Sequence, residues 1–202
     1  MVKECCVGSY IEAKRAYENG ADRIELCDNL LEGGTTPSYG TIKNSVSNIS
    51  IPINVIIRPR SGNFIYSDEE FEIMLDDIKI CKDLMVNGIV YGVLNNENKI
   101  DVEKVKIIMA AASDLKQTFH MAFDEIENKK EAIDILVSLK VDRILTKGGK
   151  NSALENLQCL QKLITYAQDK IIIIPGGGVN KDNLVQVVKE TGAKEVHGSK
   201  IV

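Results

Sequence analysis

The stretch Ile171-Ile172-Ile173-Ile174-Pro175 decides the fold, because it joins four consecutive β-branched residues in one short segment. A strand that is apolar on both faces is typical of a parallel sheet covered by helices, whereas a half-exposed antiparallel strand alternates apolar and polar residues. Residues 153–168 before it and 181–190 after it have the spacing of amphipathic helices. The stretch therefore predicts a buried parallel strand between two helices.

The same alternation of short β-branched segments and longer amphipathic segments runs along all 202 residues. The predicted strands are Val2–Val7, Arg23–Cys27, Asn54–Arg58, Gly88–Val93, Lys116–Met121, Asp142–Thr146, Ile171–Pro175 and Lys194–Ser199. The predicted helices are Ile11–Glu18, Pro37–Val46, Asp68–Val86, Val102–Ala112, Lys129–Ser138, Ala153–Gln168 and Lys181–Glu190. Eight strands with intervening helices favour a TIM-type (β/α)8 barrel over an open doubly wound sheet, so we expect one α/β barrel domain over residues 1–202.

Only Lys200-Ile201-Val202 follows the last predicted strand, so we expect the eighth helix to be missing or replaced by a short C-terminal end. The outer face of that strand would then be uncovered, and an uncovered apolar face usually needs a partner. A second copy of the chain is the simplest partner, which predicts a homodimer. A short echo, Ala21-Asp22-Arg23-Ile24 and Val141-Asp142-Arg143-Ile144, enters the second and sixth strands but is too short to establish duplication.

Composition and charge limit the classes of partner. The 44% hydrophobic and 27% charged content is ordinary for a globular protein, and a net charge of -4 disfavours nucleic acid or an anionic membrane as a partner. No segment approaches the roughly 20 apolar residues of a membrane span. The N-terminus has no apolar run of signal-peptide length, and the five cysteines lack the spacing of a disulfide framework. We therefore expect reduced thiols and a cytoplasmic location.

Polar residues stand at the carboxyl ends of the predicted strands, where a barrel of this type carries its site. The candidate catalytic residues are Glu25, His120, Asp124 and Arg58, with Glu25 or His120 as general acid or base. Each has a structural alternative. A helix cap is the alternative for Asp124. Glu4 and His197 also have structural alternatives. Glu4 could form an ion pair with Arg23 inside the barrel, and His197 could be a core histidine.

Two other segments suit an anion. Arg58-Pro59-Arg60 supplies two guanidinium groups, which fit a carboxylate or a phosphate. Gly176, Gly177 and Gly178 follow the seventh strand and Ser199 follows the eighth, the usual phosphate site of this barrel. We expect these residues to bind a small anionic ligand. A tight turn that needs positive φ is the alternative for the glycines.

The segments Glu4-Cys5-Cys6 and Glu25-Leu26-Cys27 each place a carboxylate and a thiol two residues apart. On neighbouring parallel strands that spacing puts all four side chains on one face of the sheet. Cys6 and Cys27 are therefore candidate ligands for a soft ion such as Cu(I), which accepts thiolates in low coordination numbers. Zinc usually takes four ligands, and the chain has no array of that kind. Two small core residues are the alternative.

Seven motifs, in order along nearly the whole chain, resemble the CutC family of copper-homeostasis proteins. They are Arg23-Ile24-Glu25-Leu26-Cys27, Gly33-Gly34-Thr35-Thr36-Pro37-Ser38, Ile57-Arg58-Pro59-Arg60-Ser61-Gly62-Asn63-Phe64, Thr118-Phe119-His120-Met121-Ala122-Phe123-Asp124, Arg143-Ile144-Leu145-Thr146, Pro175-Gly176-Gly177-Gly178-Val179 and His197-Gly198-Ser199. Many members carry Arg where this chain has Met121, so a role of that Arg does not transfer. Members also often run longer past the eighth strand.

The resemblance implies a (β/α)8 barrel, a cytoplasmic location, self-association and copper binding, without an established reaction. The leading interpretation is a cytoplasmic protein of copper homeostasis that binds Cu(I) through Cys6 and Cys27. The alternative is a barrel enzyme for a small anionic substrate, with or without a phosphate group. Arg58 and Arg60 would then clamp the anion, and the three glycines would hold a phosphate. A non-catalytic binding scaffold is the third interpretation.

Overall fold

The computed structural model describes residues 1–202, and strands and helices alternate along the whole chain. The strands are β1 (Val2–Val7), β2 (Arg23–Leu26), β3 (Ile53–Ile56), β4 (Gly88–Tyr91), β5 (Lys116–Phe119), β6 (Arg143–Thr146), β7 (Ile172–Pro175) and β8 (Glu195–Gly198). The helices are α1 (Tyr10–Glu18), α2 (Tyr39–Asn48), α3 (Asp68–Asp83), α4 (Val102–Ala111), α5 (Lys129–Ser138), α6 (Leu157–Ala167) and α7 (Leu184–Thr191). Every predicted strand and helix is present, with bounds that differ by a few residues at most.

The eight strands form one parallel sheet in the order β7-β6-β5-β4-β3-β2-β1-β8. The sheet curls so that its two edge strands come together, although no ladder of hydrogen bonds joins β7 to β8. One backbone hydrogen bond joins the loops that follow these two strands, from the N–H of Lys181 to the carbonyl of Lys200 at 2.9 Å. The result is a nearly closed TIM-type barrel, which confirms the predicted fold class.

The apolar run that decides the fold is buried as predicted. Ile173 and Ile174 are 4% and 0% exposed, and Ile173 belongs to one continuous hydrophobic core. The strand begins at Ile172, and the predicted helix before it is divided into a 3-10 turn at Ala153–Asn156 and α6. No helix in the structure has both the length and the apolar character needed to cross a membrane.

Side-chain caps explain where several helices begin. Ser67 accepts a hydrogen bond from the N–H of Glu70, and the Glu70 carboxylate accepts one from the N–H of Ser67, so α3 begins with a complete capping box. The predicted start of α7 at Lys181 is three residues early, since Asn180 accepts hydrogen bonds from Asp182 and Asn183 in a preceding turn. Such local Asn bonds compete with the helix.

The segment after β8 is short in this structure and contains no helix. Ile201 in that segment is 1% exposed and belongs to the hydrophobic core. Val196 of β8 is also fully buried in this core. The expectation of an uncovered apolar face on β8 is therefore wrong. The outer face of β8 therefore gives no support to the prediction of a homodimer.

Candidate functional site

A cavity of about 500 Å³ opens at the carboxyl ends of the strands. This is the end of a TIM-type barrel that carries its ligand sites, and the volume is in the range of small-molecule pockets. Eight of the predicted site residues line the cavity: Cys6, Glu25, Cys27, Arg58, His120, Gly177, Gly178 and Ser199. The cavity therefore brings the predicted thiol and glycine groups into one space.

The floor beneath the cavity is a network of buried charges. Arg23 donates to Glu4 at 2.5 Å and to Glu195 at 2.5 Å, and Arg143 donates to the same Glu195 oxygen at 3.1 Å. The two arginines of the sequence echo thus meet at one carboxylate. The ion pair of Glu4 with Arg23, which was the structural alternative for these residues, is therefore observed. Breaking one partner of such a pair leaves an uncompensated buried charge, so the network fixes the barrel interior.

His197 joins this floor to the cavity. Its Nδ1 lies 2.9 Å from Glu4 Oε1, and its Nε2 lies 3.5 Å from Glu25 Oε2. Burial alone would lower the pKa of His197, but Glu25, Cys6 and Glu4 outweigh it and hold that pKa well above 6.5. Burial would likewise raise the pKa of Glu4, whereas His197 and Arg23 lower it to about 2. The histidine is consequently an imidazolium paired with the Glu4 carboxylate, whereas burial raises the pKa of Glu25 above its ordinary value and His197 acts against that rise.

The thiols of Cys6 and Cys27 face each other beside this histidine, with a distance of 3.8 Å between their Sγ atoms. The bond to Cys27, together with burial, raises the pKa of Cys6 well above its ordinary value. The same bond acts to lower the pKa of Cys27, but burial and Glu25 raise it to about 11. Both sulfurs are therefore protonated thiols at neutral pH in the metal-free protein.

Cys6, Glu25 and Cys27 could together hold a metal ion, because one ligand atom from each lies within 4.8 Å of the others. Two metal–sulfur bonds of about 2.3 Å that span the observed 3.8 Å would meet at roughly 110°. A linear two-thiolate ion needs a sulfur separation of about 4.6 Å by the same bond length. The observed separation is about 0.8 Å shorter than this distance. The residues fit a soft ion.

His120 presents a single free nitrogen to the cavity. Its Nδ1 accepts a hydrogen bond from the N–H of Ala122 at 3.1 Å, and its Nε2 is buried with no partner. Burial and the nearby Arg58 lower the pKa of His120 to about 3. The ring is neutral, and because Nδ1 is an acceptor, the proton resides on Nε2. His120 therefore carries a buried N–H donor without an acceptor beside the cavity, and this tautomer leaves no acceptor nitrogen free to act as a base.

Arg58 lines the cavity, but its guanidinium is already bonded to protein carbonyls. Its Nη1 donates to Glu32 and Gly34, and its Nη2 donates to Gly62 at 2.8 Å. Arg58 also lies over the ring of Phe64 at 5.0 Å. These bonds tie the loop after β2 to the loop after β3. Little of the fork is free for an anion, and Arg58 Nε is the one nitrogen without a partner.

The structure places Arg60 and Asp124 outside the cavity lining. Arg60 forms a two-pronged ion pair with Glu70, at 2.5 Å from its Nε and 3.1 Å from its Nη2. Asp124 accepts from the hydroxyl of Thr146 at 2.5 Å and from the N–H of Lys147 at 3.0 Å. Arg60 therefore anchors the start of α3, and Asp124 holds the loop after β6, where it caps no helix.

The glycine turn after β7 adopts the backbone that only glycine takes readily. Gly177 and Gly178 have φ values of 79° and 88°. Gly176 donates to Thr146 and does not itself line the cavity. Ser199, after β8, lies on the same side of the cavity. Three of the four predicted groups on this side are thus at the cavity wall.

Sequence reasoning did not identify Glu195 and Arg143 as members of the buried charge network or Lys200 as a residue of the cavity lining. The signal for Glu195 was available, because Glu195 and His197 are two residues apart on β8 and so share its inner face. Arg143 stood in the echo but had no assigned partner. Lys200 lines the cavity only because the C-terminal end folds back along the loop after β7, which no local pattern shows.

Comparison with known proteins gives one consistent match. A family model described as the CutC family matches residues 1–202. A human protein named copper homeostasis protein cutC homolog is 43% identical over 196 residues, which cover 97% of this chain and 72% of that protein. An Enterococcus faecalis protein named family protein CutC is 44% identical over 209 residues, covering 100% of both. A crystal structure from Streptococcus agalactiae, named for copper homeostasis and CutC, superposes with a TM-score of 0.96 at 40% identity over 100% of both chains.

Proposed function

Since this chain belongs to the CutC family, we propose that it takes part in copper homeostasis by holding Cu(I) between Cys6 and Cys27. The observation that carries the proposal is the 3.8 Å separation of the two sulfur atoms at the wall of an open cavity. Soft thiolates select Cu(I), and two of them suffice for it. Copper is here the cargo of the protein.

Binding requires the loss of two thiol protons, because both thiols are protonated at neutral pH. Exchange of two protons for one Cu(I) makes the site more negative by one charge. The imidazolium of His197 offsets that change, whereas the carboxylate of Glu25 opposes it. In this proposal Cys6 and Cys27 are the ligands, His197 balances the charge and Glu25 tunes the proton release.

The test is competition for Cu(I) against a chelator of known affinity under anaerobic conditions. We expect the wild-type protein to bind one equivalent and the Cys6→Ser/Cys27→Ser variant to bind none, because serine oxygen is a hard ligand. Cys81→Ser is the matched control, since Cys81 is a fully buried thiol of α3 outside the cavity. Equal copper retention by the double variant and the wild type would remove this site from consideration.

Location and self-association belong to the same proposal. We propose a cytoplasmic protein, supported by five free cysteines, which a reducing compartment preserves. We also propose a homodimer. Its support is that Val185 of α7 and Ile11 of α1 are large apolar side chains that are 71% and 54% exposed. Sedimentation equilibrium at micromolar concentration tests this, and a single monomeric species would rule it out.

A further inference from the structure

The loops after β7 and β8 present backbone N–H groups that donate to nothing in the protein. Those of Gly177, Gly178 and Val179 follow β7, and that of Ser199 follows β8. All four residues line the cavity. Val179 is buried and Gly177 is half-buried. Backbone N–H groups in such places are nearly always paired, so this wall calls for an acceptor that comes from outside the chain.

Lysines without ion pairs follow the strands at this end of the barrel, and Lys200 among them lines the cavity. Lys147, Lys150, Lys181 and Lys200 follow β6, β7 and β8, and none of them has a carboxylate partner within salt-bridge distance. The stem of Lys147 lies against the Gly177 backbone, since a Cβ on Gly177 would come within 2.4 Å of Lys147 Cγ. A positive rim in a chain of net charge -4 indicates an anionic ligand at this place.

We propose that the N–H groups of Gly177, Gly178, Val179 and Ser199 form a cradle for the phosphate group of a phosphomonoester, with the Lys200 side chain beside them. Consecutive N–H groups around positive-φ glycines make a concave site for anions. A phosphate offers three terminal oxygens to these four donors, one more than a carboxylate offers. The proposal replaces the expected arginine clamp, because Arg58 and Arg60 already bond to protein carbonyls and to Glu70.

The organic part of the ligand extends toward His120. The cavity of about 500 Å³ is larger than a phosphate ion requires, and the buried Nε2–H of His120 lacks an acceptor. An oxygen on the carbon skeleton, a hydroxyl or a carbonyl, would satisfy this donor. The ligand class is therefore a small phosphorylated compound with an oxygen function. The cradle does not include Cys6 or Cys27, so the site goes beyond copper binding and does not depend on it.

The direct test is an amide-resolved NMR titration of the wild-type protein with inorganic phosphate, glycerol 3-phosphate and glycerol at constant ionic strength. We expect saturable shifts of the four cradle amides with both phosphates at millimolar concentration, and no such shifts with glycerol. Gly20 and Gly192, which lie at the other end of the barrel, serve as internal references. Absence of saturable shifts at the cradle would overturn the proposal. Equal affinity for the two phosphates would overturn its phosphomonoester part.

Two variants sharpen the assignment. Lys200→Glu should weaken glycerol 3-phosphate binding tenfold or more, whereas Lys189→Glu should change it little. Both substitutions alter the net charge by the same amount, but Lys189 lies in the last turn of α7, at the opposite end of the barrel. Equal weakening by both would show a general field effect and contradict a local cradle. His120→Phe should bring the affinity for glycerol 3-phosphate down to that for inorganic phosphate, and an unchanged ratio would exclude His120 from the site.

Discussion

His197 Nδ1 lies 2.9 Å from Glu4 Oε1, and this contact connects the sealed floor of the barrel with its ligand cavity. On one side Glu4 is held by Arg23 at 2.5 Å, and on the other side His197 reaches Glu25. A change of charge at the cavity therefore alters the electrostatic energy of the network that stabilises the interior. Site chemistry and fold stability are linked through this histidine.

The first prediction concerns alkaline stability of the metal-free protein. The folded-state pKa of His197 lies well above 6.5, so its contribution is fully present below pH 6.5 and is lost as pH rises through the folded pKa. We expect the free energy of unfolding in urea to fall from pH 6.5 upward. The raised thiol pKa values act in the same direction, so His197→Gln should flatten the profile only in part. An identical slope in the variant would contradict this assignment.

The second prediction separates a tuning role of Glu25 from a ligand role. Copper binding makes the site more negative by one charge, so an adjacent carboxylate opposes it. Glu25→Gln should therefore raise the apparent Cu(I) affinity at pH 7.5, by roughly tenfold for one unit of thiol pKa. His197→Gln should lower the affinity by a similar factor, because it removes the compensating cation. Chelator competition measures both. Weaker binding by Glu25→Gln would identify the carboxylate as a copper ligand.

The third prediction concerns Arg58. Arg58→Ala removes the donor to the exposed carbonyls of Glu32 and Gly62 and leaves the buried carbonyl of Gly34 unsatisfied, and an unsatisfied buried group costs about 1–3 kcal/mol. We expect a loss of about 2–4 kcal/mol in the free energy of unfolding, while phosphate binding persists. Arg60→Ala is the comparison, because its ion pair with Glu70 is partly exposed and should contribute about 1 kcal/mol or less. Loss of phosphate binding in Arg58→Ala alone would restore its role as an anion ligand.

The fourth prediction concerns the junction of β8 with the loop after β7. A Cβ at Gly198 would lie 2.0 Å from the carbonyl oxygen of Val179, a backbone atom that cannot move aside cheaply. Gly198→Ala should lower the free energy of unfolding by about 3 kcal/mol or more. Gly40→Ala, on the exposed first turn of α2, should be neutral or stabilise by up to about 1 kcal/mol, since its nearest neighbour is 4.0 Å away. Chemical denaturation compares the two.

The sequence predicted the barrel well because periodicity and apolar runs are local signals. Ile173 and Ile174 need only their own neighbours to indicate a buried strand, and the order of strands in a parallel barrel follows the order of the chain. The bounds were less accurate where side chains bond the backbone. Asn180 delays α7 in this way, and Met85 ends α3 early with a φ of 56°.

The site was predictable in part. The same-face spacing of Cys6 and Cys27 placed two thiols together, because strand geometry fixes which residues share a face. Charge partners could not be predicted, since they depend on loops that meet only in the folded chain. Arg60 forms an ion pair with Glu70, ten residues further on, and the guanidinium of Arg58 donates to backbone carbonyls. A guanidinium in the sequence does not reveal whether it is already occupied.

The missing ladder between β7 and β8 has a consequence for how the barrel opens. The two edges are fastened at one place, where Lys181 donates to the Lys200 carbonyl, and the cradle N–H groups lie on both sides of that place. A bound phosphate would accept hydrogen bonds from the loops after both strands. It would therefore connect β7 and β8, which share almost no hydrogen bonds of their own. Local opening of the barrel between β7 and β8 and entry of the ligand would then be the same motion. Bound ligand would slow amide hydrogen exchange along both edge strands.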